Sequence, residues 1–155
     1  MNKFAKYVLL MAGFALLVTF VHIPGTMTKV HANGGTCSLA TLRGTYSYLR
    51  SGTNTALGGP TAEMGIEVFN GEGLRGIIRN TGVSLSGSFD WSDSTFPTGS
   101  YTLAADCTGT LFNAAGTEVN NIIVLDGGKK YMVLSAPNET TKVITGEATK
   151  LDDKE

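Results

Sequence analysis

The chain has 155 residues, 12 lysines and arginines against 13 aspartates and glutamates, and a net charge of −1. Charged residues make up only 16%, and without a basic excess there is no electrostatic footprint for nucleic acid or an anionic membrane surface. Twenty glycines point to many tight turns or to strongly curved sheets.

The first six residues carry Lys3 and Lys6, and residues 7–20 form an apolar run without a charge. These are the n-region and h-region of a secretory signal peptide, and the run is too short to span a bilayer comfortably. Val30-His31-Ala32 precedes a cut after Ala32, so the expected division is a cleaved signal peptide at 1–32 and a single domain at 33–155. The product is secreted or periplasmic on this reading, with no stable membrane anchor; Cys37 lies too far beyond the apolar run to carry a lipid. Cleavage also removes Lys29, His22 and His31, leaving 123 residues with a net charge of −4 and no histidine. Histidine-dependent triads, histidine-ligated zinc and histidine general bases are then excluded, and neither metal nor cofactor is expected.

Cys37 and Cys107 remain, an even pair in an oxidising compartment, and are expected to join. The bridge would close a loop of about 70 residues, for which the chain-entropy model gives on the order of 4 kcal/mol. A redox-active pair would sit close together in sequence, and these two do not.

From Leu42 onward short alternating segments are separated by Gly, Asn, Asp and Pro, the pattern of an all-β protein. Residues 43–50 put Tyr46 and Tyr48 on one face. Residues 51–60, with three glycines and a proline, read as a long mouth loop. The next strand, 61–69, is expected to face Ala62, Met64, Ile66 and Val68 inward and Glu63 and Glu67 outward. The stretch 70–73 turns the chain back, and a three-residue loop there would set Glu67 opposite Arg75 and Glu63 opposite Arg79 as solvated cross-strand pairs. Residues 83–91 alternate most cleanly, with Val83, Leu85, Gly87, Phe89 and Trp91 inward and Trp91 at the rim beside a second loop, 92–98.

The stretch 99–110 joins a strand, with Tyr101, Leu103 and Ala105 on one face, to Cys107. Asp106 reads as a turn carboxylate that accepts from backbone N–H groups near Gly109. Strands at 108–112, 117–125, 129–135 and 142–149 follow, and 151–155 is a charged tail. The strand at 117–125 is apolar on both faces near its end, as if covered on both sides. Eight or nine strands with short antiparallel turns favour one antiparallel up-and-down barrel of about eight strands over a two-sheet sandwich, because closure removes exposed edges.

Two motifs stand out, C-x4-L-x-G-x-Y from Cys37 to Tyr46 and G-x-Y-T-x3-D-C-T-G-T from Gly99 to Thr110. With the turns at 71–73 and 126–128 and the closing Thr145-Gly146, they resemble a large group of small exported bacterial proteins. The resemblance implies a calycin-like barrel, similar to the lipocalins and the allene oxide cyclase barrels, and export. It implies no catalytic residues. The lipocalin G-x-W signature itself is absent: Gly44-Thr45-Tyr46 has tyrosine at the tryptophan position.

The function expected from this architecture is non-catalytic binding of a small apolar ligand. Tyr46, Tyr48, Met64, Ile66, Leu85, Phe89, Trp91 and Tyr101 would line the interior. A cyclase- or isomerase-like enzyme is the alternative, with Tyr46, Tyr48 and Arg50 as candidate groups, joined by Glu67 if the strand facing is reversed. A third possibility is a filled barrel that acts through its surface, for which Phe69, Phe96 and Phe112 would form an exposed patch.

Overall fold

The computed structural model describes residues 36–151. The predicted signal peptide and both histidines lie outside them. Among the described residues the alternating segments form nine strands: β1 Gly44–Asn54, β2 Gly59–Phe69, β3 Leu74–Ser84, β4 Gly87–Asp93, β5 Gly99–Leu103, β6 Thr108–Asn113, β7 Glu118–Leu125, β8 Lys130–Ser135 and β9 Lys142–Lys150. Every pairing is antiparallel. β1 pairs with β2, β2 with β3, β3 with β5, and β5 through β9 follow in sequence until β9 returns to β1. Eight strands thus close into a barrel, and β4 is an extra strand folded back on the far half of β3.

Local chemistry explains the hairpins. Asn70 Oδ1 accepts from the N–H groups of Glu72 and Leu74, and Asn113 Oδ1 accepts in the same way from Ala115 and Thr117. An asparagine side chain that mimics a backbone acceptor turns the chain in both places. β1 and β2 are longer than their sequence suggests, and only a short 3-10 turn at Thr55–Leu57 interrupts the stretch read as a mouth loop. The stretch 83–91 is two strands. Its turn lies at 84–87, where Gly87 takes a φ of +130° and Ser84 Oγ binds both the Gly87 carbonyl and the Ser86 N–H.

The facing expected for β2 is also corrected. Gly65, Glu67 and Phe69 point inward, while Met64 is exposed and Ile66 and Val68 are half-buried. Phe69 sets the phase. Its ring packs edge-on against Tyr46, Tyr101 and Tyr131, with centroids 5.4, 5.0 and 5.6 Å away. Because strand side chains alternate, seating Phe69 in that cluster carries Glu67 inside with it. The observed register is Phe69 with Arg75 and Glu67 with Ile77, and a bulge then shifts Ile66 to Arg79. β7 is covered on one face only: Ile122 and Val124 are buried and Ile123 is exposed.

One end of the barrel is closed. Cys37 is bonded to Cys107, and the Cys37 N–H donates to the Ala105 carbonyl at 3.2 Å. The 3-10 turn Leu39–Leu42 is thereby held across the opening, with Leu42 fully buried. Tyr101 donates to the Leu39 carbonyl at 2.7 Å and Tyr46 to the Gly128 carbonyl at 2.5 Å, so both buried phenols are satisfied at this end.

Candidate functional site

Moving along the axis from the closed end, the interior changes from aromatic to charged. β1 continues its inward series Tyr46, Tyr48 with Arg50, and β2 contributes Glu67. Arg75 enters from β3 and Tyr131 from β8. Glu67 is fully buried. Its Oε2 accepts from Arg50 Nη2 at 2.7 Å and from the Tyr131 hydroxyl, and its Oε1 accepts from Arg75 Nη1. Arg50 Nη2 also reaches the Tyr131 oxygen at 3.2 Å, and the Arg50 guanidinium lies 4.3 Å above the Tyr48 ring. Glu63, at the rim, comes within 3.8 Å of Arg50 Nη1.

Two glycines make room for this cluster. A Cβ at Gly65 would stand 2.9 Å from the Tyr48 ring and hydroxyl, and one at Gly146 would stand 2.8 Å from Arg50 Cα and Cγ. Each glycine is the direct cross-strand neighbour of the side chain it admits, Gly65 beside Tyr48 and Gly146 beside Arg50.

The electrostatics follow from burial opposed by charge. Burial alone would raise the Glu67 carboxyl. The guanidiniums of Arg50 and Arg75, with hydrogen bonds from Tyr131 and Arg75, override it and hold Glu67 below the usual carboxylate range. Burial, followed by the Glu67 charge, pushes Tyr131 well above an ordinary phenol. Burial and Glu63 raise Tyr48 as well. At neutral pH the cluster therefore holds one carboxylate, two guanidiniums and neutral phenols. A carboxylate gripped by two guanidiniums is a weak proton acceptor, and a phenol with a raised pKa is a weak acid, so the set is poorly poised for general acid–base work.

Above the cluster the barrel is open. A cavity of about 250 Å³ is floored by Arg50 and Arg75, with Ile77, Phe89, Val119 and Ile144 as apolar wall and Asn120, Glu63 and Lys142 as polar wall. Two larger concavities, about 670 and 490 Å³, lie outside the barrel, at 126–130 with 149–151 and beside Ile123, and neither has a buried charged side chain in its wall. Among the described residues no group of three or more His, Cys, Asp or Glu side chains is placed to hold a metal.

The residues proposed to line a ligand are dispersed. Tyr46, Tyr48 and Tyr101 are buried inside, but Tyr46 and Tyr101 belong to the closed end. Ile66 is half-buried, and Met64, Leu85 and Trp91 are exposed, which corrects their expected inward facing; Phe89 is exposed at the open mouth. The β2 phase moves Met64 and Ile66 outward, and the turn at 84–87 moves Leu85 and Trp91, while Phe89 stays over Gly82 at the mouth. Phe89 alone of the eight borders the mouth cavity, and Trp91 lies under the Arg79 guanidinium at 5.2 Å. Phe69 is buried, Phe112 half-buried and Phe96 exposed, so the three do not make one surface patch. Asp106 accepts at Oδ1 from the Thr108 N–H at 3.0 Å and hydroxyl at 2.7 Å, a strand-end bond of the kind expected near Gly109.

Compared with family models, curated proteins and solved structures, the chain has no match.

Proposed function

We propose that this protein is an exported, non-catalytic binding module that takes a small ligand in the open mouth of its barrel. The observation that carries this is the asymmetry of the interior. One end is sealed by the disulfide-held 3-10 turn and the aromatic cluster, while the other ends in a cavity of about 250 Å³ over two buried guanidiniums. An apolar wall with a few fixed polar groups is the usual make-up of a ligand pocket, and this one suits only a small molecule. Glu67 is committed to its arginines, which favours binding over proton transfer.

The compartment belongs to the same proposal. The Cys37–Cys107 bond accords with export to the periplasm or the medium, as does the resemblance to small exported bacterial barrels. Among the described residues no helix is long and apolar enough to cross a membrane. The test is native mass spectrometry on protein purified from its own host, compared with the same sample after denaturation. We expect a discrete extra mass that is lost on denaturation and a polypeptide that begins at Asn33. A bare mass at every concentration would leave the barrel without a ligand and send the search for function to the outer surface.

A further inference from the structure

Arg50 and Arg75 are 3% and 5% exposed, yet both form the floor of the mouth cavity. The acceptors within their reach are few. Glu67 spends both oxygens on them and on Tyr131, and Glu63 stops at 3.8 Å from Arg50, beyond hydrogen-bond distance. The Nε–H groups of both arginines and the Tyr48 hydroxyl, all with almost no accessible surface, have no hydrogen-bond partner among the described residues. A buried guanidinium is a fixed fork of donors, and leaving some of them unmade is costly. The cluster beneath the cavity therefore has more donors than acceptors, and its two guanidiniums border the cavity. It is also held in place, because Glu67 ties the two guanidiniums together and Tyr48 stacks against one of them.

We infer that the mouth ligand is a small monocarboxylate, its anionic head over Arg50 and Arg75 and its short apolar body along Ile77, Phe89 and Ile144. A carboxylate matches a guanidinium fork in plane and charge, which a neutral hydroxyl does not. The Asn120 amide, itself buried, stands in the wall as a further polar partner. Glu63 is then the internal competitor, a rim carboxylate that approaches the same guanidinium without bonding to it. This inference rests on the binding function proposed above.

The probes are hexanoate and 1-hexanol, which share an apolar body and differ in the head. Each is titrated into the mature protein expressed in and purified from its own host, with backbone amide shifts to locate the contact. Hexanoate should saturate the mouth with an affinity at least about tenfold above that of hexanol, in line with a hydrogen bond to a charged group. Glu63→Gln should tighten hexanoate and leave hexanol unchanged, and Phe89→Ala should weaken both. Arg75→Gln should abolish the difference between the two, and the Glu63 variant carries the test if the Arg75 variant fails to fold. Hexanol bound at the mouth as tightly as hexanoate would overturn the carboxylate and leave the binding site standing. A native mass adduct that proves to be neutral would do the same. Neither probe bound, together with a bare native mass, would overturn the binding function itself.

Discussion

Glu67 has no exposed surface, and three groups donate to its two oxygens. Removing one member of a buried ion-pair cluster typically costs about 3–5 kcal/mol, because the partners stay buried without compensation. Glu67→Gln keeps the shape, removes the charge and strands two guanidiniums, so we expect a loss in that range in urea denaturation followed by circular dichroism. A change below about 1 kcal/mol would mean that water already compensates the arginines. That Glu67 lies inside was hard to read from the sequence. Ala62, Met64, Ile66 and Val68 make a regular apolar series, whereas the phase that is buried, that of Glu67, contains a glycine and two carboxylates. What decides between the phases is the fit of Phe69 among Tyr46, Tyr101 and Tyr131, contacts between strands far apart in the sequence. The run Tyr46, Tyr48, Arg50 was legible, because β1 keeps one phase throughout.

At the scale of elements, turns decided which expectations held. β6 to β9 fall where glycine and asparagine punctuate the chain, within a residue or two of the expected ends, whereas β5 ends at Leu103, three residues before the end expected at Asp106. The β3–β4 hairpin was missed because 83–91 alternates across a turn whose only conformational mark is Gly87. The segment 37–42 has no strand pattern at all, and its place was legible only through its cysteine. It closes the barrel from a distance of 70 residues in sequence, so its position depends on the disulfide more than on local propensity. Reduction should remove up to about 4 kcal/mol and lower the melting temperature by on the order of 10 °C. The loss should begin at the closed end. Amide exchange is expected to rise first at Cys37, Tyr101 and Val124, whose N–H groups bond across that end, and last in β1 and β2. Uniform acceleration through all strands would show that the barrel closes without the bridge.

The whole barrel places an ionised carboxylate and neutral phenols in one interior, and this fixes how stability must vary with pH. In the unfolded chain a glutamate takes up its proton near pH 4.5, whereas Glu67 in the barrel is still ionised there. The unfolded state binds more protons in that window, so stability is full above it and falls as the pH drops toward the lower native value. The phenols act in the opposite sense. Tyr46 is pushed up to about 12, by burial first and then by Tyr101, and Tyr48 and Tyr131 are also raised. Above pH 10, the ordinary phenol value, the unfolded chain releases protons that the native barrel retains, and stability falls again. Denaturation midpoints measured from pH 3 to pH 11 should therefore trace a plateau with an acid limb owed chiefly to Glu67 and an alkaline limb owed to the tyrosines. Glu67→Gln should lower the plateau and flatten the acid limb alone, whereas Tyr131→Phe should reduce the alkaline limb. An acid limb unchanged by Glu67→Gln would assign acid sensitivity to surface carboxylates, and the buried cluster would then lose its place as the main electrostatic term in the fold.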